Sequence, residues 1–221
     1  MEEAKQITIV LIDDQAIVRA AFKSLLQSVE RFQVVGDAGD ARKGIELVGE
    51  LKPDVAILDI TMAGMSGLDA VVPIKRVSPR TQVLMASQHE GMKFVQQALQ
   101  AGADGYLSKD SEPSELALAI DSIVSGESYL SPKVSNGFMA RAVRGEVAAS
   151  DEASALSVLT PREREVFQLL AIGKANKEVA AMLELSVGTV KKHRENLQRK
   201  LHCHSAAELA RLAIREGLLD V

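Results

Sequence analysis

Four apolar, β-favouring runs in the first half of the chain each end on a polar residue, and this punctuation restricts the fold more than any other feature. Ile7–Ile12 runs into Asp13 and Asp14, and Val55–Leu58 runs into Asp59. Val83–Ala86 stops at Ser87, and Tyr106-Leu107 leads through Ser108 to Lys109. Continuous apolar runs separated by helical patterns read as strands buried on both faces of a parallel sheet. Strands that share a direction share an edge for their C-terminal ends, and open α/β sheets bind ligands at that edge. The pattern predicts three carboxylates, a hydroxyl and an ammonium gathered in one crevice.

Strand-like and helix-like segments alternate to about residue 128, which predicts a doubly wound α/β unit with a five-stranded parallel sheet. The strands fall at roughly 7–13, 33–37, 55–59, 82–87 and 105–108, and the helices at about 16–29, 40–51, 67–77, 91–101 and 113–125. Residues 131–155 lose a strong apolar period and gain Ser, Ala, Gly and charge, so they read as a linker with a helical stretch around 137–144. Residues 156–221 are helical throughout in pattern. Thr160-Pro161-Arg162-Glu163 offers an N-cap, a first-turn Pro and a capping-box Glu. A second helix over 176–184 buries Val179, Ala180 and Leu183, Ser186 caps a third running to Leu201, and a fourth spans about 205–216. This is a small all-α, four-helix unit containing a helix-turn-helix, the second helix of the motif being long and basic. The expected division is therefore 1–130, a linker over 131–155, and 156–221.

Charge follows this division. Residues 1–130 carry a net −7, the linker is neutral, and residues 156–221 carry +3, a hint of nucleic-acid contact by the last part. A single cysteine, Cys203, excludes an internal disulfide framework. The N-terminus lacks the pattern of a signal peptide, and no segment approaches the roughly 20 apolar residues of a membrane span. A cytoplasmic protein with no membrane partner is expected.

The crevice residues suit phosphate chemistry. Paired acids with a third carboxylate suit Mg²⁺, which prefers oxygen ligands. Lys109 would neutralise phosphoryl oxygens and Ser87 would donate a hydrogen bond, the positioning and electrostatics of phosphoryl transfer. Asp59 stands alone at its strand end, followed by a loop with Gly64 and Gly67, so it is the better carboxylate nucleophile. Asp13 and Asp14 are the better metal ligands.

With these residues in order, IDD, LDITMAGMSGLDA, VLMAS and ADGYLSKD, residues 7–128 resemble a response-regulator receiver domain, a flavodoxin-like fold. Residues 156–221 resemble the LuxR-type helix-turn-helix through LTPREREV and GKANKEVAAMLELSVGTVKKHRENLQRKL. The pairing is similar to the NarL/FixJ class of two-component transcription regulators. The resemblance implies Asp59 as phosphoacceptor and Mg²⁺ bound by Asp14, Asp59 and the Thr61 carbonyl, with Asp13 assisting through water. It implies Ser87 and Lys109 on the phosphoryl group, and Tyr106 as a switch aromatic coupled to Ser87. It further implies a sensor histidine kinase and promoter DNA as partners, a homodimer in the active form, and no catalysis beyond the protein's own phosphorylation and dephosphorylation. One departure stands out: where the family has Pro after the loop Met, Ala63 follows Met62, which removes a φ restraint from the loop.

On a helical projection of the third C-terminal helix, Val190, Leu197 and Leu201 share a stripe, with Lys191, Lys192, Glu195 and Arg199 opposite. That face suits base edges in the major groove, while Lys177, Thr189 and Arg194 suit phosphates. His202-Cys203-His204 is no zinc site, since adjacent residues point apart and no second Cys/His group follows. A phosphatase of the haloacid-dehalogenase type would need Asp two residues after the nucleophile, where Thr61 stands. Leu209, Leu212 and Ala213 form an apolar stripe on the last helix, expected to pair two copies. A receiver docked over Lys191 and Lys192 until phosphorylated is the expected mode of control.

Overall fold

The computed structural model describes residues 6–62, 64–89, 91–136 and 155–216. They form two compact units. The proposed helical stretch around 137–144 and the Ala63 substitution lie outside the described residues.

In the first unit, strands β1 (Ile7–Ile12), β2 (Phe32–Ala38), β3 (Val55–Leu58), β4 (Gln82–Ser87) and β5 (Gly105–Ser108) alternate with helices α1 (Ala16–Gln27), α2 (Ala41–Leu51), α3 (Gly67–Val77), α4 (Met92–Ala101) and α5 (Pro113–Val124). A sixth strand, β6 (Tyr129–Leu130), follows α5. All pairings are parallel, in the order β2-β1-β3-β4-β5-β6. The sheet therefore has six strands where the sequence predicts five. Two residues are too few to show a period, and β6 exists only because the β5 edge is there to pair with.

Successive strand residues point to opposite faces. Ile9, Leu11, Val55, Ile57, Leu84 and Leu107 pack with Leu26 of α1 and Leu116, Ile120 and Ile123 of α5. The alternate residues Val10, Ile12, Ala56, Leu58, Val83 and Met85 are equally buried on the other face, the side of Val48, Val71, Ile74 and Val95. Burial on both faces explains why the strands read as unbroken apolar runs.

The second unit starts with a 3₁₀ turn (Ala155–Val158) and holds α6 (Pro161–Ala171), α7 (Asn176–Met182), α8 (Val187–Leu201) and α9 (Ala206–Arg215). The capping box is formed: Thr160 accepts from the Glu163 amide, and the Glu163 carboxylate accepts from the Thr160 amide at 2.9 Å. Glu163 also takes the Lys200 ammonium at 2.6 Å, tying the last turn of α8 to the first of α6. Val166, Phe167, Leu169, Val179, Val190, Leu197, Leu209 and Leu212 share one core. This corrects the expectation for the last helix. Leu209, Leu212 and Ala213 are buried inside their own domain, so the stripe seals this core and offers no free face to a second copy. A periodic apolar face shows that a helix is covered, and here α6 covers it.

Candidate functional site

The β register carries the crevice residues to one edge. Ile12 pairs with Leu58, Leu58 with Met85 and Met85 with Tyr106, so the strands end nearly level. Asp13 and Asp59 each follow the last residue of their strand, and the Asp59 amide donates to the Ile12 carbonyl at 2.9 Å. Between β1 and β3 the strand order reverses, which opens the crevice of a doubly wound sheet.

Lys109 Nζ lies 2.7 Å from Asp13 Oδ2 and 3.0 Å from Asp59 Oδ1. Asp13 and Asp59 are each only 3 % exposed, while Asp14 is exposed. Asp13, Asp14 and Asp59 each offer an oxygen, these oxygens lying within 4.8 Å of one another, so the cluster is able to hold a metal ion. Asp59 Oδ2 is buried and accepts no hydrogen bond among the described residues, which leaves a carboxylate oxygen available to a cation. The donor set is all oxygen, as a hard cation requires.

Burial is the strongest influence on Asp59 and pushes its carboxyl up to about 6, with Lys109 opposing and Asp13 and Asp14 adding to the rise. Burial acts equally against the Lys109 ammonium, but Asp59 and Asp13 together outweigh it and hold its pKa above the ordinary value.

Ser87 ends β4, fully buried, and its Oγ accepts from the His89 amide at 3.1 Å. Tyr106 is fully buried and its hydroxyl donates to the His89 carbonyl at 2.5 Å. His89 also places Nε2 2.8 Å from Thr61 Oγ1 and stacks on Phe94 with 4.7 Å between centroids. Sequence reasoning gave His89 no role. It joins the loop after β3 to the loop after β4, and nothing local to residue 89 announces a partner 28 positions away.

In the second unit, Lys191, Lys192, Glu195 and Arg199 are exposed on α8, opposite buried Val190 and Leu197. Lys177 is exposed on α7. Thr189 is half-buried, with Oγ1 2.8 Å from the capping hydroxyl of Ser186. Arg194 is half-buried and reaches Asn176 Oδ1 at 3.5 Å. His202 closes α8 in the left-handed region, and Cys203 packs against the core.

Residues 9–121 match the response regulator receiver domain, and residues 157–213 match the bacterial regulatory proteins of the luxR family. The chain belongs to the response regulators. It is 33 % identical over 220 residues to the transcriptional regulatory protein MctR of Rhizobium johnstonii, covering 100 % of this chain and 99 % of that one. With the nitrate/nitrite response regulator NarL of Escherichia coli it shares 37 % over 212 residues, 95 % of this chain and 96 % of the other. Among solved structures, a LuxR-family two-component response regulator from Aurantimonas sp. SI85-9A1 matches with a TM-score of 0.61 and 32 % identity, covering 63 % of this chain and 99 % of that one. This response regulator thus joins a receiver to a LuxR-type DNA-binding domain. No described helix is long and apolar enough to cross a membrane.

Proposed function

We propose that Asp59 is the phosphoacceptor of this regulator, charged by a sensor histidine kinase in the cytoplasm, and that its phosphorylation controls promoter binding. The observation that carries this reading is the Lys109 ammonium held between Asp13 and Asp59, beside an Asp59 oxygen that accepts no hydrogen bond among the described residues. An oxygen of Asp59 attacks the phosphorus of the donor, the bond from phosphorus to the donor breaks, and an acyl phosphate forms. Lys109 meets the charge on the phosphoryl oxygens, and the Ser87 hydroxyl donates a hydrogen bond to one of them. Tyr106, bonded to the His89 carbonyl, holds the Ser87 loop in register with that event.

The residues fit Mg²⁺: Asp14, Asp59 and the Thr61 carbonyl would hold it, with Asp13 bonding through water. When bound, Mg²⁺ would offset the repulsion between a carboxylate nucleophile and an anionic donor. Catalysis goes no further than the chain's own phosphorylation and dephosphorylation.

On the DNA side, the exposed face of Lys191, Lys192, Glu195 and Arg199 enters the major groove, where Lys donates to guanine and Glu accepts from cytosine. Lys177, Thr189 and Arg194 contact phosphates and set the register. The active form is a homodimer, joined through surfaces other than the apolar stripe of α9.

Asp59→Asn tests the acceptor. The amide is nearly isosteric but forms no acyl phosphate, so Mg²⁺-dependent labelling by radioactive acetyl phosphate should vanish. Persistent stoichiometric labelling of the variant would show that the acceptor is another residue.

A further inference from the structure

Strand β6 forms one edge of the sheet. It is two residues long, it covers the edge of β5, and β5 carries both Tyr106 and, one residue beyond its end, Lys109. Gly105 pairs with Tyr129 and Tyr106 with Leu130. The Ser131 amide donates to the Tyr106 carbonyl at 3.0 Å, and Ser131 Oγ accepts from the Ser108 amide at 3.4 Å. Ser131 and Ser108 are both fully buried. Beyond them the Val134 and Ser135 amides fold back on the Ser131 carbonyl at 2.9 Å each, so the chain turns away from the sheet at Ser131.

Two properties of this pairing matter. First, the rung nearest the acceptor stands apart from the two backbone bonds, Tyr129 amide to Asp104 carbonyl at 3.3 Å and Ser131 amide to Tyr106 carbonyl at 3.0 Å. It uses a side-chain oxygen in place of a carbonyl and is the longest of the set. Second, that rung is held by Ser108, which pairs with Ser87 across β4 and precedes Lys109, whose own amide donates to the Ser87 carbonyl at 2.8 Å. A continuous line of bonds therefore runs from the Asp59 carboxylate through Lys109 and Ser108 to Ser131.

We infer that the β5–β6 pairing, with Ser131 as its terminal rung, is the relay by which the state of Asp59 reaches the segment leading to the DNA-binding domain. The inference rests on the reading of Asp59 as phosphoacceptor. A phosphoryl group on Asp59 changes what Lys109 pairs with, and the adjoining end of β5 follows the ammonium. The weakest rung gives first, and the chain leaves the sheet at Ser131 along a different path. Such a shift needs only a differential stability of the two arrangements, and a buried amide that loses or keeps one partner supplies that kind of difference.

The test uses the full chain with Mg²⁺ and acetyl phosphate as donor. In the wild type, hydrogen exchange in a peptide covering 127–134 should accelerate on phosphorylation. Ser131→Ala removes the acceptor of the Ser108 amide and leaves the backbone rung to Tyr106 in place. It should label at Asp59 at the wild-type rate, yet lose several-fold of the gain in operator affinity that phosphate brings, a gain of about 5–150-fold in couplings of this kind. Ser131→Thr, which keeps the hydroxyl, should restore it. Wild-type coupling in Ser131→Ala, or exchange in 127–134 indifferent to phosphate, would overturn the relay while leaving the acceptor intact. Loss of labelling in Ser131→Ala would also overturn it, since Ser131 would then serve the acceptor pocket itself. A wild-type protein that takes no label at Asp59 would remove both readings.

Discussion

Gly67 opens α3, and its amide donates to the Ile60 carbonyl at 2.9 Å. A Cβ at this position would stand 1.8 Å from the carbonyl oxygen of Asp59 and 2.8 Å from its carbonyl carbon. Real contacts of this kind do not fall below 3.0 Å, so the α3 terminus and the Asp59 backbone must separate by roughly 1.2 Å in Gly67→Ala. The atom that would have to yield belongs to the proposed acceptor itself. Overpacking of this sort costs about 1–3 kcal/mol of stability. A displacement of about 1 Å in a reacting group costs about 10²-fold in rate, equivalent to about 2.7 kcal/mol of barrier. The assay is the initial rate of labelling by acetyl phosphate in saturating Mg²⁺, well below a melting temperature measured in parallel. Gly64→Ala is the control. At φ +90° it pays for a left-handed backbone, about 1–2 kcal/mol, but its Cβ meets nothing within 4 Å and pushes on nothing. Gly67→Ala should therefore be slow by about two orders of magnitude where Gly64→Ala is nearly normal. A Gly67→Ala protein that melts and labels like the wild type would refute the reasoning.

Glu195→Ala should change which operator bases are tolerated, one good base contact being worth about 1–3 kcal/mol, as read by selection from a randomised site. Lys177→Ala should weaken all sequences alike and reduce the slope of log affinity against log salt by about 1. Burial raises the Glu163 carboxyl, but the Lys200 ammonium and the Thr160 bonds outweigh it and hold it below the ordinary 4.5. A lowered carboxyl contributes stability that is complete above 4.5 and disappears as pH falls through its folded value. Calorimetry of the C-terminal unit should show that acid loss, and Glu163→Gln should flatten it; an unchanged acid limb would show that the tie between α6 and α8 carries no net stability. The isolated 156–221 fragment, which has its own core, should bind operator without phosphate and more tightly than the unphosphorylated full chain. Equal binding at matched salt would rule out inhibition by the receiver and leave receiver pairing as the means of control.

The strand ends were legible because a parallel sheet buried on both faces writes each strand as an uninterrupted apolar run, and the next polar residue marks the edge. Asp13, Asp59 and Ser87 stand at that position and Lys109 one residue beyond it, after Ser108, and the capping box at Thr160 and Glu163 is local enough to read directly. What escaped was relational. Tyr129-Leu130 becomes a strand only through a neighbour fixed elsewhere in the chain. The stripe of Leu209, Leu212 and Ala213 announces burial without naming the covering surface, since α6 and a second copy would leave the same period. The bond between Thr61 and His89, and the carbonyl against which Gly67 packs, depend on backbone positions that no periodicity encodes.

The contrast in exposure among the three acids bears on time as well as on chemistry. Asp13 and Asp59 are enclosed, and Asp14 alone faces solvent. An acyl phosphate is a mixed anhydride that ends when water reaches its phosphorus from the side opposite the leaving carboxylate. Asp59 is almost wholly buried and has the Lys109 ammonium 3.0 Å from one of its oxygens, so little of it is open to that water. The walls that admit a donor also meter the hydrolytic water, and a substitution that opens them would shorten the memory of the signal without touching any group that makes the bond.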